Sequence, residues 1–155
     1  MGRCGRGEEM EEVVIDTSVA VKWFSNEEDT DKALKLRDRH VNSQIELVAT
    51  PLLLCEVVNA LRYKPDFDYK KLIKAIGSLY KLHIHIEPIT EDLLIKGAEI
   101  AFEGDVTIYD AIPVALAELF KTFCITADEK TQYKNLKHKY PVKMLKELKK
   151  EDSEH

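Results

Sequence analysis

VVIDTSVAVKWF, residues 13 to 24, is the stretch whose reading decides the fold. Val13, Val14 and Ile15 are consecutive β-branched residues, and a run that is apolar on both alternating faces belongs to a strand buried on both sides. Asp16 ends the run, Thr17 and Ser18 offer capping chemistry, and apolar residues at helical spacing continue to Phe24. A doubly buried strand that turns through a polar corner into a helix is the unit from which helix-covered parallel sheets are built. The same beat recurs outward from it. Ile45 to Ala49 reads as a second strand, stopped before Pro51, after an amphipathic helix from about Glu28 to His40. Leu52 to Tyr63 is apolar nearly all round the helical wheel, which predicts burial between neighbours. A helix after Asp68 carries the stripe Leu72, Ile73, Ile76 and Leu79, and Ile84 and Ile86 alternate with His83, His85 and Glu87 like a half-exposed strand. Thr90 starts a helix to Phe102 and another runs from near Asp110 to Leu119. Phe123 to Thr126 is a short buried strand, Asp128-Glu129 opens a helix, and Val142 to Leu145 forms a last strand. Strands alternating with helices predict an α/β domain, a three-layer α/β/α sandwich on a mainly parallel sheet. It should span residues 13 to 145, between a disordered leader (1 to 12) and a charged tail (146 to 155).

Composition narrows the function classes. With 155 residues, 45% apolar and 33% charged, the chain has enough apolar surface for one core and too much charge for a membrane protein. No apolar run approaches the roughly 18 residues of a span. Val13 to Ile15 is too short for the core of an export signal, so a cytoplasmic location is expected. The three cysteines lack paired spacing; Cys55 and Cys124 sit in apolar stretches and read as reduced core residues, while Cys4 lies in the leader. The net charge of −5 argues at first against a nucleic-acid partner. Its distribution answers that objection, because four of the five negative charges belong to residues 1 to 12 and 147 to 155.

Four acids occupy positions where chemistry is expected. Ligands of open α/β sheets bind beyond the carboxyl ends of the strands, and Asp16 and Asp128 follow two of those ends. Asp110 is placed at the start of a helix, where the amide dipoles keep a carboxylate ionised. Any one of these aspartates alone would read equally as a helix cap. Glu56 is harder to dismiss, for it interrupts LLLCEVVNAL, and a buried carboxylate needs a cation or a polar cleft to face. Helical spacing puts Leu52, Glu56, Asn59 and Tyr63 on one face, so that Asn59 is available to hold Glu56. Converging carboxylates repel by roughly 4 kcal/mol per pair at about 4 Å in a medium of intermediate dielectric, so such a cluster implies a cation. All-oxygen donors select Mg²⁺ or Mn²⁺ over Zn²⁺. His83 and His85 read as a solvated strand face instead of a ligand pair. Setting the four acids aside leaves the middle of the chain at +3, compatible with a polyanionic substrate.

In their order and local contexts these residues resemble the PIN-domain family and, within it, the VapC-type ribonuclease toxins. VVIDTSVAVKWF carries the first acid, TPLLLCEVVNAL the second with Asn59, TIYDAIPVALAEL the third, and ITADEK the fourth. The resemblance covers almost all of residues 13 to 145. It implies an endoribonuclease dependent on Mg²⁺ or Mn²⁺; as a physical reading, Asp16 and Asp110 are expected to be the direct metal ligands. Glu56 and Asp128 would act through water or orient the nucleophile, and Ser18 and Thr126 would support the carboxylates. It further implies a homodimer, a small antitoxin partner and an RNA substrate. One departure is Pro113 where the third motif usually has an aromatic residue; in the first turn of a helix a proline is tolerated. Other readings are a housekeeping RNA-processing nuclease, a catalytically degenerate binding module, and an aspartate-based phosphotransfer domain, which would want a second acid where Ser18 stands.

Overall fold

The computed structural model describes residues 10–148. Five strands, β1 (Glu11–Ile15), β2 (Ile45–Ala49), β3 (His85–Ile86), β4 (Cys124–Thr126) and β5 (Val142–Met144), form one sheet in the order β3-β2-β1-β4-β5, every neighbouring pair parallel. The strand in residues 13 to 15 lies at its centre. Val14 pairs with Val48 on one side and Cys124 on the other. Alternation sends Val13 and Ile15 to one face and Val14 to the other, and each face has its own core.

The first core packs Val13, Ile15 and Leu47 against α1 (Thr17–Ala20), α2 (Thr30–Val41), α3 (Pro51–Arg62) and α4 (Tyr69–Lys81) through Val19, Leu36, Val57 and Leu79. The second packs Val14, Val48 and Cys124 against α5 (Glu91–Gly104) and α6 (Ile108–Leu119) through Leu93, Ile100, Ile112 and Leu116. Each such buried side chain contributes about 1.5–3 kcal/mol. The three-layer sandwich expected from the sequence is the fold observed.

Several local expectations are corrected. Glu11 and Glu12 belong to β1, so the sheet begins two residues before Val13, because backbone pairing with Ile45 and Glu46 extends a strand past its apolar part. Residues 1–9 of the leader, Cys4 included, and residues 149–155 of the tail lie outside the described residues. α3 is buried on one face only, through Leu53, Val57 and Leu61, and Cys55 is exposed. Apolar character in this helix therefore did not mean burial all round. Cys124 is fully buried, and burial pushes its thiol well above the ordinary range. His85 is half-buried and bonded to the Glu87 carboxylate instead of solvated.

The largest correction concerns α6. The helix starts before Asp110, because the Thr107 hydroxyl accepts the Asp110 amide (3.1 Å) and takes the cap. Asp110 is thus the third residue of α6, and Pro113 falls beyond the first turn. Proline there deprives the Tyr109 carbonyl of its helical amide. The helix continues nonetheless, because Ala111, Ile112 and Val114 to Ala117 are all buried against the sheet.

Where the chain leaves β1 for β2 on one side while β4 lies on the other, the loops at the strand ends diverge and open a crevice. α1 and the turn that follows it (Val21–Trp23) leave that crevice directly after Asp16.

Candidate active site

Asp16, Glu56 and Asp110 reach the crevice from three different segments, and Asp128 stands beside it on a fourth. Asp16 caps α1: its Oδ2 accepts the Ser18 amide (3.0 Å) and the Ser18 hydroxyl (2.6 Å). The cap is the acid itself, and the hydroxyl expected to cap is its donor. The Ser18 Oγ also accepts the Ala127 amide (2.8 Å) and lies 3.3 Å from the Thr126 hydroxyl, which is within 3.5 Å of Asp16 and accepts the Asp128 amide at 3.0 Å. Ser18 and Thr126 thereby tie the ends of β1 and β4 together. Both hydroxyls serve the acids and the backbone at once.

Glu56 projects from α3 and its Oε1 accepts the Thr17 hydroxyl (2.8 Å). With Asp16, Asp110, Asn59 and Tyr109 it lines an open pocket of about 410 Å³. Asn59 shares that wall without bonding Glu56, although their spacing had suggested that it would. Thr17 holds Glu56 in its place. Asp110 is half-buried at the start of α6. Asp128 stands at the rim, and its carboxylate accepts from Thr131 (amide 3.3 Å, hydroxyl 2.5 Å) and from the Gln132 amide (3.4 Å), capping a turn of π-helix over Glu129–Tyr133.

Burial and neighbouring acids together push up the carboxyls of Asp16, Glu56 and Asp110. Desolvation, reinforced by the charges of Asp16, Asp128 and Glu56, raises the Asp110 carboxyl from 3.8 to about 6. Desolvation likewise raises Asp16 against the bonds from Ser18, and raises Glu56 against the bond from Thr17. None of the four carboxylates is paired with a Lys, Arg or His among the described residues. Among those residues, too, no three His, Cys, Asp or Glu side chains are gathered closely enough to hold a metal ion as they stand. The donor chemistry nevertheless fits a hard divalent cation, since the pocket offers carboxylate oxygens whose mutual repulsion such an ion would relieve. Asp16 and Asp110 are the acids with the strongest claim to hold it. Together with Glu56 they line the pocket, whereas Asp128 spends both of its oxygens on its own turn.

Two residues of this site escaped the sequence reading. Thr17 looked like a cap, and only the arrival of α3 beside α1 gives its hydroxyl to Glu56. Gln132 sits in the polar stretch EKTQYK and carries no periodic signal, yet it is fully buried. Its Nε2 donates to the Asp110 carbonyl (2.8 Å) and, at 3.4 Å, to the Asp16 carboxylate.

A family model described as PIN domain matches residues 13–138. No curated protein matches the sequence. Among solved structures, a toxin-antitoxin complex from Klebsiella pneumoniae superposes with a TM-score of 0.64 at 18% identity, covering 88% of this chain and 99% of that one. FitAcB from Neisseria gonorrhoeae gives 0.66 at 15%, covering 88% and 99%. VapC20 of Mycobacterium tuberculosis, a sarcin-ricin loop cleaving toxin, gives 0.61 at 16%, covering 79% and 94%. Identities this low speak to the fold alone.

Proposed function

From the premise that this chain belongs to the PIN-domain family, we propose that it is a metal-dependent endoribonuclease acting as the toxin of a toxin-antitoxin pair. The observation that carries the reading is the convergence of Asp16, Glu56 and Asp110 from three segments on one crevice, with Asp128 near enough to act on Asp110 and no protein cation among the described residues paired with the four. Such an arrangement is unfavourable for folding, so its use lies in binding a cation and the phosphate that comes with it. Bound Mg²⁺ or Mn²⁺ supplies neutralisation of the phosphate and a lower pKa for water. The chain's own groups do the rest. Asp16 is oriented by Ser18, and Glu56, held by Thr17, orients the attacking water and takes its proton as the water oxygen bonds to phosphorus. The leaving ribose oxygen departs with the electron pair of the broken phosphorus–oxygen bond and is protonated from solvent. Asp128 fixes the rim. The toxin assignment is favoured by neighbours that are themselves toxins or toxin-antitoxin complexes. A small antitoxin and a second copy of the chain are the partners this predicts. No helix among the described residues is long and apolar enough to cross a membrane.

The test is incubation of purified protein with end-labelled RNA and Mn²⁺ or Mg²⁺, for which discrete internal fragments are expected. Intact RNA with either ion, from protein that is folded by circular dichroism, would sink the proposal. Glu56→Gln should keep the fold and lower kcat by about tenfold to a hundredfold, and Thr17→Val by less, since it acts through Glu56. Normal cleavage by Glu56→Gln would return Glu56 to an ordinary helix face.

A further inference from the structure

We infer that Gln132 is the positioning residue that holds the Asp16 carboxylate against the start of α6, and so sets the separation of the two acids assigned to the metal. The inference rests on the proposed metal site and adds a residue to it. Both bonds made by Gln132 Nε2 end on acceptors, Asp16 Oδ1 and the Asp110 carbonyl, so the amide orientation is fixed by chemistry. Among the described residues Gln132 is the side chain that bonds both the β1 acid and the backbone of the α6 acid.

Three observations argue that the amide serves the site and not stability. First, its Oε1 is buried without a hydrogen-bond donor, an arrangement that costs folding free energy. A buried group half satisfied is a poor stabiliser. Second, the backbone departs from a regular helix to deliver it. The Tyr133 amide bonds the Asp128 carbonyl (3.0 Å) five residues back, while the Gln132 amide turns to the Asp128 carboxylate. Single π turns of this kind recur at functional sites because they redirect one side chain. Third, the donor is neutral. A Lys or Arg in that position would pair with Asp16 and compete with a divalent cation, whereas an amide orients the carboxylate and leaves its charge intact.

Gln132→Met, nearly isosteric and without polar atoms, tests the inference. Metal-free melting should stay at or above that of the parent, because the unpaired oxygen is lost with the donor. The Mn²⁺ concentration that gives half of the full Mn²⁺-induced rise in melting temperature should increase about tenfold. In RNA cleavage kcat should fall about tenfold to a hundredfold while KM changes less than twofold, the pattern of misplaced chemistry and not of lost binding. If the Met variant does not fold, Gln132→Leu is measured in the same way. A Mn²⁺ response and a kcat both within twofold of the parent, in whichever variant folds, overturn the inference. The Mn²⁺ titration needs no RNA, so it decides the role of Gln132 even if the parent proves not to cleave RNA.

Discussion

Asp110→Asn is expected to lower RNA cleavage at least about a thousandfold, equivalent to about 4 kcal/mol of transition-state stabilisation, without weakening the metal-free fold. The two halves of this expectation come from one fact, that Asp110 is held at about 6 by desolvation and by three neighbouring acids. Charge at this position opposes folding and serves binding. On the stability side two effects compete. Asp110 is the third residue of α6, where a negative charge gains about 0.3–1 kcal/mol from the helix dipole. Against it stands the environment that raises its pKa by about two units, worth about 1–2 kcal/mol once the exposure of a half-buried group is discounted. Capping does not enter, since Thr107 provides it.

The sign with pH follows. Because the folded pKa lies above the ordinary 3.8, the folded state keeps a proton that the unfolded state releases, and this stability is present below about pH 4 and lost as pH rises through about 6. Metal-free Asp110→Asn should therefore melt at or above the parent at pH 7.5, and the difference should shrink towards pH 4. Denaturation at both pH values beside the RNA assay measures both halves. A variant that cleaves normally, or whose melting falls well below the parent at pH 7.5, removes Asp110 from a repelling acidic site.

Withdrawal of divalent metal is the second large effect expected. In excess chelator, cleavage should fall to the background of RNA alone and return when Mn²⁺ or Mg²⁺ is added beyond the chelator. No Lys, Arg or His among the described residues is paired with the four acids, so the chain has no cation of its own there to take the metal's place. The same ion should stabilise the fold, because a ligand that binds only the folded state adds about 2.7 kcal/mol at a hundred times its Kd. For a chain of this size that is a rise in melting temperature of roughly 5 to 10 °C. The rise should be much smaller in Asp110→Asn. Undiminished cleavage in chelator, or equal Mn²⁺ shifts in the two proteins, contradicts the metal-dependent reading.

Asp16 shows why single positions in the sequence were ambiguous. It is at once a helix cap and an acid of the crevice, because the end of a parallel strand is where both a cap and a ligand are wanted. Neither reading excluded the other. The four acids could be found together because each sits at a junction or an interruption that local pattern makes visible. Cys55 marks the opposite case. Its neighbours are apolar, but which side of α3 faces the core depends on where α1 and α4 lie, and no window of twelve residues contains that.

The sequence by itself determined the layer order and marked four acids for attention, since periodicity, β-branching and an acid amid apolar residues are properties of short stretches; the central place of β1 came from the strand pairing. Tertiary structure alone decided the partners. Thr17 meets Glu56 across 39 residues and Gln132 meets Asp16 across 116. It also moved the start of α6 to Ile108, giving Thr107 the cap and leaving Pro113 beyond the first turn. A hydrogen bond of about 3 Å requires two chain segments to be fixed in position and rotation together. That information resides in the packing of whole helices on the sheet and is absent from the local pattern of either partner.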